Sequence, residues 1–313
     1  MIIFSVAVCI RLKTGGPMIG LFASWIFIYL VCKIVRIPYD NVVAGAYDAI
    51  RMVVPTLCLL MAIGVMIGTW LQSGTIATII AWGLKMINPA WLLPLTLLFC
   101  SVLSVVTGTS YGSVGSAGVA MMAIGNAMGI NSGMVAGAVI CGAMFGDKLS
   151  PLSDTTNLAP AVAGAKLGAH IRAMFWTTIP TYIITLIIFT VLGIQQTSGG
   201  YTAGDISNYI TELNGEFHLG AVTLIPAILI IVLLLCKVNA ISALGISSFA
   251  AGAVSFFVQH ATLQSIIQTA YSGYTTTIEE GVLQSILKLG GMGSMLQYVA
   301  IISCAGGMGG MLE

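Results

Sequence analysis

Gly146-Asp-Lys-Leu-Ser-Pro-Leu-Ser-Asp-Thr-Thr-Asn-Leu-Ala-Pro160 is the stretch that decides how the rest of the chain is read. It holds Asp147, Lys148, Asp154, Asn157 and the hydroxyls of Ser150, Ser153, Thr155 and Thr156, and apolar runs flank it on both sides. An ionised group at membrane depth costs roughly 2.5–3.5 kcal/mol on insertion scales. Pro151 and Pro160 each remove a helical hydrogen bond, so one undisturbed helix is not expected here. A polar, broken stretch in such a place is tolerated where protein covers it or where it lines a cavity.

The flanks earn that reading from composition. Charged residues make up 7% of the chain and hydrophobic ones 58%, whereas soluble domains carry ~25% charge. Apolar runs approach the ~20 residues a spanning helix needs. The expected fold class is therefore an all-α polytopic membrane protein whose partner is the lipid bilayer. A net charge of +1 gives no footing for nucleic acid. The seven cysteines are scattered without a Cys-x-x-Cys or Cys/His cluster, so neither a zinc site nor a disulfide framework is expected, and no cofactor.

Expected spans are Met18–Val35, Val53–Leu71, Trp91–Val106, Phe175–Ile194, Ala221–Leu235 and Ile241–Val258. Met1–Ile10, Thr75–Ile87, Ala117–Met128 and Met134–Phe145 are shorter than a crossing, and the apolar runs Gly281–Leu289 and Met295–Met308 close the chain. Tyr39–Arg51 reads as an interfacial segment and Gln195–Leu219 as a loop. Basic residues favour the cytoplasmic side. Lys166, Arg172 and Lys237 therefore lie inside, and Gln195–Leu219, which has no lysine or arginine, lies outside. Ala46-Tyr-Asp-Ala-Ile50 before Ile67–Gln72 resembles Ala270-Tyr-Ser-Gly-Tyr274 before Met308–Glu313. Such internal repeats are common in transporters, with the site at their interface. One transmembrane domain over 1–313 is expected: a first repeat over 1–194 with the ion-binding segments, an extracytoplasmic loop over 195–220, and an incomplete second repeat over 221–313. A fragment of a longer protein is expected on this count.

Hard alkali cations are held by carboxylate, hydroxyl, amide and carbonyl oxygen. Asp154, Ser153, Thr155, Thr156 and Asn157 offer the first three, and a break at Pro151 frees carbonyls for the fourth. A sheltered carboxylate takes up a proton more readily, and a neighbouring cation opposes that. One site can then hold H⁺ or Na⁺ in turn. Asp154 is assigned as the ion carboxylate, with Asp147 as support or second proton site; Lys148 beside Asp147 makes an ion pair plausible. Ser150 supports the same break. Upstream, Thr107-Gly-Thr-Ser-Tyr-Gly-Ser113 is a second break, with hydroxyls at Thr107, Thr109, Ser110, Tyr111 and Ser113. It reads either as a re-entrant hairpin tip facing the aspartate segment or as close helix packing, since Gly-x-x-x-Gly recurs at Gly108/Gly112 and Gly142/Gly146. His170, His218 and His260 read as interfacial, and Glu279 and Glu280 as a solvated helix start. An intramembrane aspartyl protease needs a Gly-x-Gly-Asp motif, which Met144-Phe-Gly-Asp147 does not supply.

The run Gly146–Gly164 resembles the signature of the NhaC family of Na⁺/H⁺ antiporters, and Thr107–Ser113 fits that family's Gly/Thr/Ser motif. The resemblance implies a secondary antiporter, not an enzyme, exchanging Na⁺ or Li⁺ for H⁺ across the bacterial plasma membrane. It also implies two inverted repeats with re-entrant hairpins, and a homodimer. Some relatives instead exchange malate with H⁺ for lactate with Na⁺; Lys148 is the one intramembrane base that such an anion could use.

Overall fold

The computed structural model describes residues 17–151, 153–196, 203–276 and 290–311, without the side chains of 17, 154, 155, 158, 161, 162, 196 and 203–209. Every regular element among them is helical. The protein is an all-α polytopic membrane protein. Among the described residues, five helices are long and apolar enough to cross a membrane, and a sixth crossing is added if the pair Ile210–Glu216 and Ala221–Leu235, bent by 89°, is one broken span. The chain divides into two compact units, 1–64 with 292–313, and 65–291.

The smaller unit packs α1 (Pro17–Val35) against α14 (Met292–Gly310) and the first part of α2 (Tyr39–Gln72). Lipid tails are as apolar as leucine, so helices associate through close packing and interhelical hydrogen bonds. Both occur here. The Trp25 indole donates to the Cys304 carbonyl at 2.7 Å, and the backbones at Gly45 and Gly310 approach so closely that neither admits a Cβ. The expected interfacial segment Tyr39–Arg51 is not separate: α2 runs unbroken for 34 residues with Pro55 inside it. At ~1.5 Å per residue that is about 51 Å, well beyond a ~30 Å hydrocarbon core. Its first turns bury Val42 and Ala46 on one side, and Arg51 pairs with Asp48 at 3.5 Å on an exposed flank.

The larger unit is centred on α4 (Pro89–Thr107) and α7 (Ser132–Leu149). Asparagines start both: Asn88 accepts from the Ala90 amide and Asn131 from those of Gly133 and Met134, which satisfies donors left over in a first turn. A Cβ on Gly142 would strike Leu97, and one on Gly146 would lie 2.5 Å from the Ser101 carbonyl oxygen. The Ser150 hydroxyl reaches the Val105 carbonyl at 2.7 Å. Numbers rise together along both helices, so α4 and α7 are parallel. Here Gly-x-x-x-Gly packing is real for Gly142/Gly146.

Between them the chain turns back through α5 (Ser110–Ser113), a π turn (Val114–Gly118) and α6 (Val119–Ala127). Short α3 (Thr75–Met86) lies against α6, Gly83 beside Ile124. After α8 (Asp154–Ala163), α9 (Leu167–Gln196) returns. Gly193 meets Ala90 and the Tyr182 hydroxyl meets Ser101, so α9 is antiparallel to α4.

The remaining helices are α10 (Ala203–Glu216), α11 (Ile225–Leu235, entered through a 3-10 turn at Ala221–Leu224), α12 (Ala240–Phe257) and α13 (Leu263–Ser272). Helix α10 corrects the expected loop at Gln195–Leu219; it buries Leu213 and, just past its end, Phe217. Helix α13 was not expected: its ten residues carry too few apolar positions to read as a span. Ala46–Ile50 lies within α2, whereas Ala270–Tyr274 straddles the end of α13. The segments Met1–Ile10 and Gly281–Leu289, with Glu279 and Glu280, lie outside the described residues.

Candidate functional site

The aspartate segment is broken over fewer residues than its prolines suggest. Helix α7 continues through Gly146-Asp-Lys-Leu149, making the expected short run Met134–Phe145 an 18-residue helix. Lys148 in its last turn is favoured by the negative end of the helix dipole. The gap is Ser150–Ser153. Ser150 is extended and wholly buried, and Ser153 is 1% exposed. The Thr156 hydroxyl, from α8, reaches back to the Asp147 and Lys148 carbonyls, each at 3.0 Å. The Asn157 amide donates to the Pro151 and Ser153 carbonyls at 2.9 and 2.8 Å. Much of the segment's polarity is thus spent on closing one helix and opening the next.

Asp154 and Thr155 are the first two residues of α8, and their side chains lie outside the described residues. Asp147 is half-buried. Among the described residues it makes no ion pair with Lys148, correcting that expectation. Neighbours on a helix point about 100° apart and do not face each other.

The second break lies at the same level. Helix α4 ends at Gly108, which is left-handed at φ 69°, a conformation glycine takes without steric cost. Thr109 caps α5 by accepting from the Gly112 amide at 3.3 Å. Ser113 and Ser116 donate to the carbonyls of Thr109 and Gly112 at 3.0 and 2.6 Å. Ser110 and Ser113 are buried, whereas Tyr111 is 55% exposed and turned away. The Thr107 oxygen is buried with no hydrogen-bond partner. Because α4 and α7 are parallel and Val105 is joined to Ser150, their C-terminal ends lie side by side. Helix C-termini carry partial negative charge and unpaired carbonyls. Two together, with hydroxyls and Asp147 at hand, favour a cation.

Beside these ends opens a groove of about 740 Å³ between α7, α8 and α9. Asp147, Lys148 and Thr156 line it, with His170, Thr177, Thr178, Thr181, Tyr182 and Thr185 of α9. Tyr182 stacks on Phe145 with ring centres 3.7 Å apart. The α9 residues escaped the sequence reading. Their one signal was Thr177, Thr181 and Thr185 recurring every fourth position in an apolar span. His170, taken for an interfacial residue, is half-buried on the groove wall.

Residues 142–313, which contain the aspartate segment and all of the groove lining but Cys141, match the sequence model of the Na⁺/H⁺ antiporter family. The chain belongs to that family. It is 35% identical over 282 residues to the Na⁺/H⁺ antiporter NhaC of Alkalihalophilus pseudofirmus, covering 90% of this chain and 61% of that protein. It is 37% identical over 295 residues to the malate-2H⁺/Na⁺-lactate antiporter of Bacillus subtilis, covering 94% and 63%. The arginine/ornithine antiporter ArcD of Halobacterium salinarum is 32% identical over 277 residues, covering 88% and 57%. The chain thus spans about 60% of the length of these relatives. No solved structure matches it. As a member of this family, with several helices apolar enough to cross a bilayer, the protein is a multi-pass membrane protein of the bacterial plasma membrane.

Proposed function

We propose that the protein exchanges Na⁺ (or Li⁺) for H⁺, one carboxylate holding each in turn. The observation that carries this reading is the pairing of the α4 and α7 C-termini, with the buried, unpartnered Thr107 oxygen at the end of α4. Broken helices whose C-terminal ends and unwound carbonyls meet a coupling ion are the usual construction of secondary-transporter sites. Asp154 is the carboxylate we assign to the exchange. Asp147 stands at the groove wall as its support, with Ser150, Ser153, Thr155, Thr156 and Asn157 shaping the break. Thr107, Thr109, Ser110 and Ser113 shape the facing one. A cation on the carboxylate opposes protonation and a proton displaces the cation, so the two ions compete and exchange follows.

The architecture we infer remains two repeats, 1–194 and 221–313, joined by an outside segment, with a homodimer as the assembled form. In everted vesicles, adding Na⁺ or Li⁺ should dissipate an imposed proton gradient, and Asp154→Asn should abolish that response. Normal exchange by Asp154→Asn would move the assignment elsewhere. A second reading, exchange of an organic acid, draws on the groove's volume, which lies within the ~300–1,000 Å³ of small-molecule sites, and on Lys148 and His170 at its wall. Gradient loss that requires malate or lactate would favour it.

A further inference from the structure

Where the groove's hydroxyl protons go determines what the groove can hold. Thr177 donates to the Met174 carbonyl at 3.1 Å, Thr181 to the Thr177 carbonyl at 2.9 Å, and Thr185 to the Thr181 carbonyl at 2.8 Å. Thr156 donates to the end of α7. Ser101 commits its proton to the Leu97 carbonyl at 2.7 Å, so in the 2.8 Å contact between Ser101 and Tyr182 the tyrosine is the donor. A hydroxyl has one proton and two lone pairs. With the protons committed, these side chains turn only lone pairs toward the groove. The Thr178 oxygen, also on the groove, is a buried atom without a partner.

Back-bonding to the helix is also how a membrane helix hides a threonine from lipid. What sets this row apart is convergence: five threonines share one groove with Asp147. Resting on the exchange reading above, we propose that the α9 row is a monovalent-cation path, an acceptor-only rail of Thr185, Thr181 and Thr177 that passes Na⁺ along α9 past Asp147. Hydroxyl and carboxylate oxygens suit a hard cation. A carboxylate substrate would find donors at Lys148, His170 and the Thr178 hydroxyl, and would face the lone pairs of Thr177, Thr181 and Thr185 along the row.

The test is equilibrium ²²Na⁺ binding to the purified full chain. Thr177→Val/Thr181→Val keeps the shape and removes two oxygens, and should bind Na⁺ about tenfold more weakly, the scale of one lost bond to a charge. Thr177→Ser/Thr181→Ser should bind as the wild type does. If the valine pair does not fold, Thr181→Val alone should show a smaller loss. Unchanged affinity in the valine variants, no Na⁺ uptake by the wild type, or binding of labelled malate that the valine pair abolishes would each overturn the path. Na⁺ binding that depends on these oxygens, without any Na⁺-driven proton flux in vesicles, would sink the exchange reading and leave the path standing.

Discussion

Around the turn between α2 and α3, hydroxyls bond one element to another, whereas along α9 they bond back to their own helix. At the turn, Ser73 meets Thr75 at 2.7 Å, Thr75 donates to the Thr223 carbonyl at 2.7 Å, and Thr78 meets the Thr223 hydroxyl at 2.6 Å. All four residues are completely buried. Nearby, Gln259 joins the Ser73 and His218 carbonyls. Oxygens this close leave no room for an ion, so the cluster fastens the bent entry to α11 onto the α2–α3 turn. Hydroxyl content alone therefore does not mark a site. The same side chain is a fastening where its oxygen meets a group of another element, as at Thr75 and Thr223, and an open acceptor where its partner lies on its own helix and its lone pairs face a groove.

The largest stability effect should come from the fastening. Thr75→Val/Thr223→Val takes the hydroxyl donor from the Thr223 carbonyl and the Thr223 hydroxyl from the cluster, at about 1–3 kcal/mol for a buried group left unpaired. The thermal unfolding midpoint in detergent should fall clearly, while Na⁺ affinity in whatever fraction stays folded should not change. Thr181→Val should do the reverse: it loosens Na⁺ and alters stability by no more than about 0.5 kcal/mol, as for an exposed position. If both variants destabilise equally, the contrast between the two regions fails.

That contrast was only partly legible in the sequence. The span at Met18–Val35 and the breaks near Thr107 and Ser150 were, because unbroken apolar runs and clustered Gly, Pro and hydroxyls have few other readings. The end of α7 was not. Asp147 and Lys148 read as part of the broken stretch, yet a lysine in a last helical turn is stabilised by the dipole, so the helix runs on through them. Helix α10 was hidden because its polar face resembles loop composition. The groove was hidden for a third reason. It depends on α9 returning antiparallel beside α7, a long-range pairing that no local pattern states, and single threonines in an apolar run are ordinary.

Tyr182 sits where the two behaviours meet, on α9 but bonded across to α4. Tyr182→Phe keeps the ring on Phe145 and removes only the bond to Ser101. The expected loss is about 1 kcal/mol, smaller than that of the fastening, read again from the unfolding midpoint. An unchanged midpoint would mean that this contact does not pin α9, and the groove wall would then be free to move.

A third arrangement sharpens the comparison most finely, because its contribution changes only in the alkaline range. Tyr274 and Thr276 direct their hydroxyls at neither carbonyl nor groove but at the Glu216 carboxylate, at 2.9 and 2.6 Å. Burial first, and then the Glu216 charge, hold the Tyr274 hydroxyl above its ordinary pKa. The folded state thus keeps that proton more tightly than the unfolded chain does. The stabilisation is complete below the ordinary tyrosine value of about 10 and is lost as pH rises through the elevated folded value. The unfolding midpoint should therefore decline as pH rises above about 10, and Tyr274→Phe should flatten that decline. An equal decline in the phenylalanine variant would assign the alkaline loss to another group and leave the Glu216 contact as an ordinary surface bond.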